Sequence, residues 1–224
     1  MFKYDPGAFR EQLERDGYVH LKDVLADDFV AGLRAFHDTA LRDADAESRD
    51  WRIRGKKSQF VFDFPTVAAA EIFRDGMARL TGIGPQDFTI SERHLKVYDE
   101  AADPWPAPHK DRNASHFSIG LPVVLPEGSS VCVFPDLEPG PNTEERAVFL
   151  SPPPGGTARD IYRSARAEIL NERLGDMVVF LGSALFHERV NGAGTSVLYI
   201  KVNGRGEDPL GENIYAGNPA YAHA

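Results

Sequence analysis

The 224-residue chain contains one cysteine, Cys132, so no internal disulfide can form and the fold must rest on its core. A single thiol fits a reducing compartment, and a cytoplasmic location is expected. No apolar run approaches the roughly 20 residues that cross a bilayer. The opening Met1-Phe2-Lys3-Tyr4-Asp5 has neither the basic start nor the apolar middle of a signal peptide. Positive charge is also in deficit. Twenty-five Lys and Arg against 34 Asp and Glu leave a net charge of −9, which argues against a nucleic-acid groove or an anionic-membrane surface. A small-molecule partner is expected instead, with no nucleic acid and no membrane; the oligomeric state is left open. Repeats, low-complexity stretches and linkers are lacking too, so residues 1–224 are expected to form one domain.

Hydrophobic residues make up 42% of the chain and charged residues 26%, the balance of an ordinary globular protein. Periodicity divides it. Residues 7–16 place Phe9 and Leu13 four apart, with Gly17 as a stop, and 18–21 reads as a short strand. Residues 26–44 carry an apolar stripe of Phe29, Leu33, Phe36 and Ala40 behind Asp27 and Asp28, and 67–81 gives a third helix with Ile72, Met77 and Leu80 among its apolar positions. From about residue 88 the pattern becomes strands: 88–98, 114–124, 130–134, 146–150, 176–181 and 195–203. Residues 136–145 and 151–157 have loop chemistry, and Pro152, Pro153 and Pro154 exclude a central strand. The expectation is a mainly β sandwich or barrel with N-terminal helices: a helical buttress over about 1–87, a β core over about 88–203 and a tail over 204–224.

The motif that points to chemistry is His109-Lys110-Asp111, followed by His187, 76 residues beyond the aspartate. Residues i and i+2 of an extended segment point the same way, so His109 and Asp111 can grip one ion while Lys110 points elsewhere. Two imidazoles and a carboxylate occupy one face of an octahedral Fe(II) and leave three positions for reactants. His187 ends the stretch Gly175-Asp176-Met177-Val178-Val179-Phe180-Leu181-Gly182-Ser183-Ala184-Leu185-Phe186-His187, a turn, a buried strand and a small-residue bend. That layout returns it across a sheet towards His109 and Asp111. Of the other histidines, His116 is the strongest competitor as a ligand. His20 and His37 read as packing or surface residues, His94 as a strand residue of undecided direction, and His223 as part of the tail.

Three segments resemble the Fe(II)- and 2-oxoglutarate-dependent oxygenases, in particular the branch similar to phytanoyl-CoA dioxygenase: Arg15-Asp16-Gly17-Tyr18-Val19-His20-Leu21-Lys22-Asp23-Val24-Leu25 with the helix after it, the HxD at 109–111, and the Gly175–His187 stretch. The resemblance implies a double-stranded β-helix, a jelly-roll relative of the cupins with buttressing helices. It implies Fe(II) held by His109, Asp111 and His187, with 2-oxoglutarate and O2 as co-substrates and ascorbate as a reductant in assay. Succinate and CO2 would accompany oxidation of an unactivated C–H. An intact Asp111 favours hydroxylation, desaturation or cyclisation over halogenation, on a small metabolite or biosynthetic intermediate that could be amino-acid-like.

The family's usual arginine for the distal carboxylate of 2-oxoglutarate is missing from the strand after the second histidine. Lys201, 14 residues after His187, is the preferred substitute; Arg205, at 18, and Lys96 are the alternatives. Arg112 and Asn113 are candidate substrate contacts, or caps of a turn. Phe60, Phe62 and Trp105 could line a pocket but read more readily as core. Arg189 could reach 2-oxoglutarate but reads more readily as solvated, and Tyr162 and Arg163 could belong to a lid. Two further readings stay open: a cupin-like oxygenase, epoxidase or isomerase that does not use 2-oxoglutarate, and a non-catalytic jelly-roll binding module.

Overall fold

The computed structural model describes residues 1–43, 57–102, 108–138 and 140–216. Trp105 and His223 lie outside them, as does Ala44 at the end of the second expected helix. A 3-10 turn at Pro6–Phe9 leads into helix α1 (Arg10–Asp16). Gly17 ends it at φ +76°, its N–H bonded to Leu13 O at 2.9 Å, a left-handed cap that suits glycine. Strand β1 (Tyr18–Leu21) and helix α2 (Asp27–Asp43) follow, then β2 (Lys57–Val61) and α3 (Val67–Thr81). In α3 the buried face is Ala70, Phe73, Met77 and Leu80, whereas Ile72, read from the sequence among the apolar positions, is 49% exposed. Gly76 does not interrupt the helix; a Cβ there would come within 2.6 Å of the Phe2 ring, so the gap admits that ring.

The remaining strands are β3 (Thr89–Tyr98), β4 (His109–Lys110), β5 (Phe117–Val124), β6 (Ser130–Phe134), β7 (Val148–Phe149), β8 (Glu168–Leu170), β9 (Met177–Phe180), β10 (Phe186–Val190) and β11 (Ser196–Asn203), with helix α4 (Ala158–Ser164) between β7 and β8. They form two sheets, β1-β9-β5-β11-β3-β2 and β7-β4-β10-β6-β8, in which every pairing is antiparallel. This is the double-stranded β-helix with N-terminal helices that the sequence led us to expect.

Side-chain alternation gives each face its role. Leu198, Ile200 and Val202 of β11 join Leu33, Phe73, Met77 and Leu80 in the core between the larger sheet and the helices, while Tyr199 and Lys201 point inward. Val131, Val133, Leu170, Val178 and Phe180 pack between the sheets. Cys132, Phe134, Phe186 and Val190 pack on the outer face of the smaller sheet under Ile161 of α4.

Some elements escaped the sequence reading. β4 and β8 are too short to show a period, and β2 is half polar. β10 was hidden because Glu188 and Arg189 are charged yet buried. Helix α4 carried a legible signal, since Asp160, three residues after Thr157, accepts the Thr157 N–H at 2.7 Å. The expected strand over 146–150 shrinks to Val148–Phe149.

The fold also explains two motifs that lie far apart in sequence. β1 pairs with β9, Gly17 O accepts the Leu181 N–H at 2.9 Å, and the Leu185 side chain lies against Gly17. Asp176 accepts from Asp23 N (2.8 Å) and Arg173 N (2.9 Å), and it pairs with His20 Nε2 (2.7 Å). The first motif therefore buttresses the bend that delivers His187. Asp176→Ala strands two backbone donors, and we expect it to destabilise the protein by about 2–3 kcal/mol in chemical denaturation.

Candidate metal centre

His109 and His187 are direct cross-strand partners of β4 and β10, with ring centroids 4.5 Å apart. Asp111 follows β4 and turns to the same side: its Oδ1 lies 3.8 Å from His109 Nε2 and its Oδ2 3.6 Å from His187 Nε2. One ligand atom from each of the three residues falls within 4.8 Å of the other two, and no other such group occurs among the described residues. Lys110 points away, donating to Glu138 O and Gly140 O, as alternation requires.

The protonation states suit a cation. Burial pushes the His187 imidazolium pKa down, which favours the neutral ring despite the Asp111 charge. The Leu185 carbonyl, 3.0 Å from Nδ1, selects the tautomer with its lone pair on Nε2, facing Asp111. Burial alone would raise the Asp111 carboxyl, but the adjacent Lys201 ammonium outweighs it and holds the group well below the usual carboxylate range. The donor set therefore fits a divalent ion such as Fe(II).

The loop that carries Asp111 is fixed on several sides. Its N–H donates to Gly182 O at 2.8 Å, and its carbonyl accepts from Asn142 Nδ2 at 2.9 Å. Its carboxylate accepts from Ser118 Oγ (2.6 Å, to Oδ2) and from Lys201 Nζ (2.5 Å, to Oδ1). Gly182 is needed for this approach, because a Cβ there would lie 2.4 Å from Ser118 Oγ and 2.6 Å from Asp111 Oδ2. On the open side, His109 stacks on Phe149, which is 42% exposed (centroids 5.2 Å, 30°).

A cavity of about 30 Å³, room for a water or two, adjoins the triad and is lined by His109, Asp111, His187, Lys96, Arg189 and Lys201 among others. Its cations are arranged around carboxylates. Glu92 of β3 lies 2.8 Å from Lys96, 3.1 Å from Arg112 and 3.9 Å from Lys201. Burial would raise Glu92, but Lys201 and Lys96 prevail and hold it low. Lys201 in turn is held above its ordinary value, because Asp111 and Glu92 outweigh its burial, so it is an ammonium.

Arg189 corrects the sequence reading. It is buried rather than solvated, its guanidinium paired with both oxygens of Glu172 and donating to Tyr199 Oη. Arg205 lies outside the cavity lining, on the surface, where it binds Glu207 and Asn113. Arg112 bonds to Glu92 and Ser91 O, while Asn113 bonds to Glu207 and Arg205. His94 is bonded to Glu212 at 2.6 Å, His37 to Ser196, and the His116 ring lies against Phe117; none of these joins the triad. Phe62 is in the helix-side core and Phe60 packs against that core. Tyr162 packs on the outer face of the smaller sheet and donates to Glu188, and Arg163 is exposed.

Sequence reasoning missed Ser118, Glu92, Asn142 and Gly182. A lone serine in the apolar run of β5 and a glutamate four residues before Lys96 on β3 were the available signals for the first two. Nothing local marked Asn142.

Solved structures of non-heme alpha ketoglutarate dependent enzymes share this fold. No known family model and no curated protein matches the sequence, but solved structures match the fold. The chain is similar to the non-heme alpha ketoglutarate dependent epimerase SnoN from nogalamycin biosynthesis, with a TM-score of 0.61 and 20% identity over 89% of this chain and 85% of that one. EctD from S. alaskensis gives 0.57 and 15% over 91% and 79%, and a Pseudomonas putida prolyl-4-hydroxylase 0.54 and 19% over 90% and 100%. Among the described residues no helix is long and apolar enough to cross a membrane.

Gly182→Ala wedges a methyl group between Ser118 and Asp111. We expect it to abolish Co(II) binding in calorimetry while the far-ultraviolet circular dichroism stays that of the wild type.

Proposed function

We propose that the protein is a non-heme Fe(II), 2-oxoglutarate-dependent oxygenase that hydroxylates an unactivated C–H of a small molecule. The carrying observation is the convergence of His109, Asp111 and His187 within 4.8 Å beside a cavity lined by the buried cations Lys96, Arg189 and Lys201. The fold similarity adds support, since SnoN has been captured with Fe3+ and alpha ketoglutarate and EctD with 2-oxoglutarate and 5-hydroxyectoine.

In this reading His109, Asp111 and His187 hold the iron. Bound there, iron and 2-oxoglutarate supply the oxidation of a C–H by O2, with succinate and CO2 as co-products. The chain's own residues orient and exclude. Ser118 and Asn142 fix Asp111, and Leu185 O fixes the His187 ring. Lys201 receives the distal carboxylate of 2-oxoglutarate, with Lys96 beside it. Arg189 is committed to Glu172, and Arg205 lies outside the cavity lining. Phe149, exposed against His109, forms an apolar edge where substrate can approach. Arg112 reaches the charged group at the cavity only through Glu92, which also contacts Lys96 and Lys201.

Anaerobic addition of Fe(II) and then 2-oxoglutarate should produce the visible charge-transfer band of the chelate. His109→Ala and Asp111→Ala should each abolish it, and Lys201→Ala should weaken 2-oxoglutarate binding at least tenfold. A folded, iron-loaded protein that gives no band rules out 2-oxoglutarate as co-substrate. Mass spectrometry of substrate pools turned over in 18O2 then separates hydroxylation, which retains one labelled atom, from other outcomes.

A further inference from the structure

A second cavity, open to solvent and about 480 Å³ in volume, lies among the N-terminal helices. It shares no lining residue with the cavity at the candidate metal centre. Three of its lining residues are arginines, Arg10, Arg74 and Arg79, against one acid, Asp75. Arg10 opens α1, whereas Arg74 and Arg79 stand on one stripe of α3 beside the buried Phe73 and Met77. In a chain of net charge −9 most of the surface repels anions, so a cleft of this sign is where one collects.

The arginines are held in place by carboxylates that grip the inner nitrogen. Nε of Arg10 lies 2.7 Å from Glu14, that of Arg74 3.0 Å from Asp75, and that of Arg79 3.1 Å from Asp5. A guanidinium gripped at Nε still carries four N–H donors on its terminal nitrogens. Nη2 of Arg10 reaches over Gly82, where a Cβ would lie 2.7 Å from it. Arg74 is buried and stacks over the Tyr215 ring, 5.6 Å from its centroid, and the Tyr215 hydroxyl donates to Ala70 O. Glu14 and Asp5 are more than half exposed, so their pairs are weak and leave the arginines able to take a stronger anion. The carbonyl end of α3 opposes an anion by about half a charge, which three guanidinium groups outweigh.

The shape adds the rest of the ligand. A volume of about 480 Å³ exceeds what an inorganic anion fills and falls in the range of small-molecule sites. Ile83 and Pro85 give it an apolar wall beside the charges. Planar guanidinium forks match the oxygens of a phosphate group, and several together favour a dianion over a monoanion. We propose that this cavity is a second ligand site, for a small organic phosphate monoester. The phosphate sits among Arg10, Arg74 and Arg79, and the organic body lies against Ile83 and Pro85. The site is independent of the reading of His109, Asp111 and His187 as metal ligands.

The test is calorimetric titration of the whole chain with phenyl phosphate, inorganic phosphate and benzoate at one ionic strength. Phenyl phosphate should bind one to one, at least fivefold tighter than inorganic phosphate and at least tenfold tighter than the singly charged benzoate. Arg10→Gln and Arg79→Gln, both at exposed positions, should each weaken it at least fivefold, while Arg34→Gln on the exposed face of α2 should leave it unchanged. Arg79→Lys keeps the charge without the fork and should weaken it at least threefold; it decides the matter where Arg79→Gln fails to fold. Binding that does not saturate, or that falls equally in Arg34→Gln, is a general charge effect and overturns the proposal. Equal affinity for benzoate and phenyl phosphate overturns it as well. So does binding that survives Arg10→Gln and Arg79→Gln but is lost in Lys201→Gln, which would put the anion at the metal centre.

Discussion

The candidate centre depends on one strand register: His187 of β10 opposite His109 of β4. Opposed residues of an antiparallel pair present their side chains on the same face at a separation set by the backbone ladder, so the spacing of the two imidazoles comes from the sheet and not from side-chain adjustment. A slip of one residue would send one ring to the other face and bring Glu188 or Phe186 inward. The pairing is held from several directions. β6 continues the register on the far side of β10, with Val133 opposite His187, and the bend before β10 is braced by Gly17 and Leu185. The N-terminal segment thus contributes no ligand and yet sets where one ligand lies.

Much of this was legible because it follows from short-range rules. The same-side relation of His109 and Asp111 needs only the two-residue period of an extended chain, and the boundaries of β6 and β11 follow from apolar runs bounded by turn residues. What stayed hidden depends on partners that are distant in sequence. The charges of β10 obscured it as a strand, since Arg189 is affordable inside only with Glu172 beside it, and that pairing exists only once β8 and β10 flank β6. Arg189 was read as solvated for the same reason. Asn142 sits in a segment with plain loop composition, and its role in holding the Asp111 carbonyl appears only when the loop closes. Gly182 was legible as a bend but not as a clearance for Asp111.

The interior carries more charge than a jelly-roll core needs for stability. Glu92, Lys96, Asp111, Glu172, Arg189 and Lys201 are all buried, and removing water from that many ions is costly unless each finds a partner. They divide into a closed pair, Arg189 with Glu172, and an open group around Glu92 and Asp111 in which Lys201 contacts two carboxylates. The closed pair has the character of structure. The open group supplies Lys96, Asp111 and Lys201 to the cavity lining.

The three candidate ligands all come from the smaller sheet or the turn that leaves it, whereas Ser118, Glu92, Lys96 and Lys201 all come from the larger one. Substitutions along β3 or β11 leave the pairing of β4 with β10 unchanged and act on the candidate centre only through the side chains that face it. Ser118 and Lys201 are the points where the larger sheet reaches across to the Asp111 carboxylate. The two sheets therefore divide the labour: the smaller one sets the spacing of the three candidate ligands, and the larger one sets the charge that faces them.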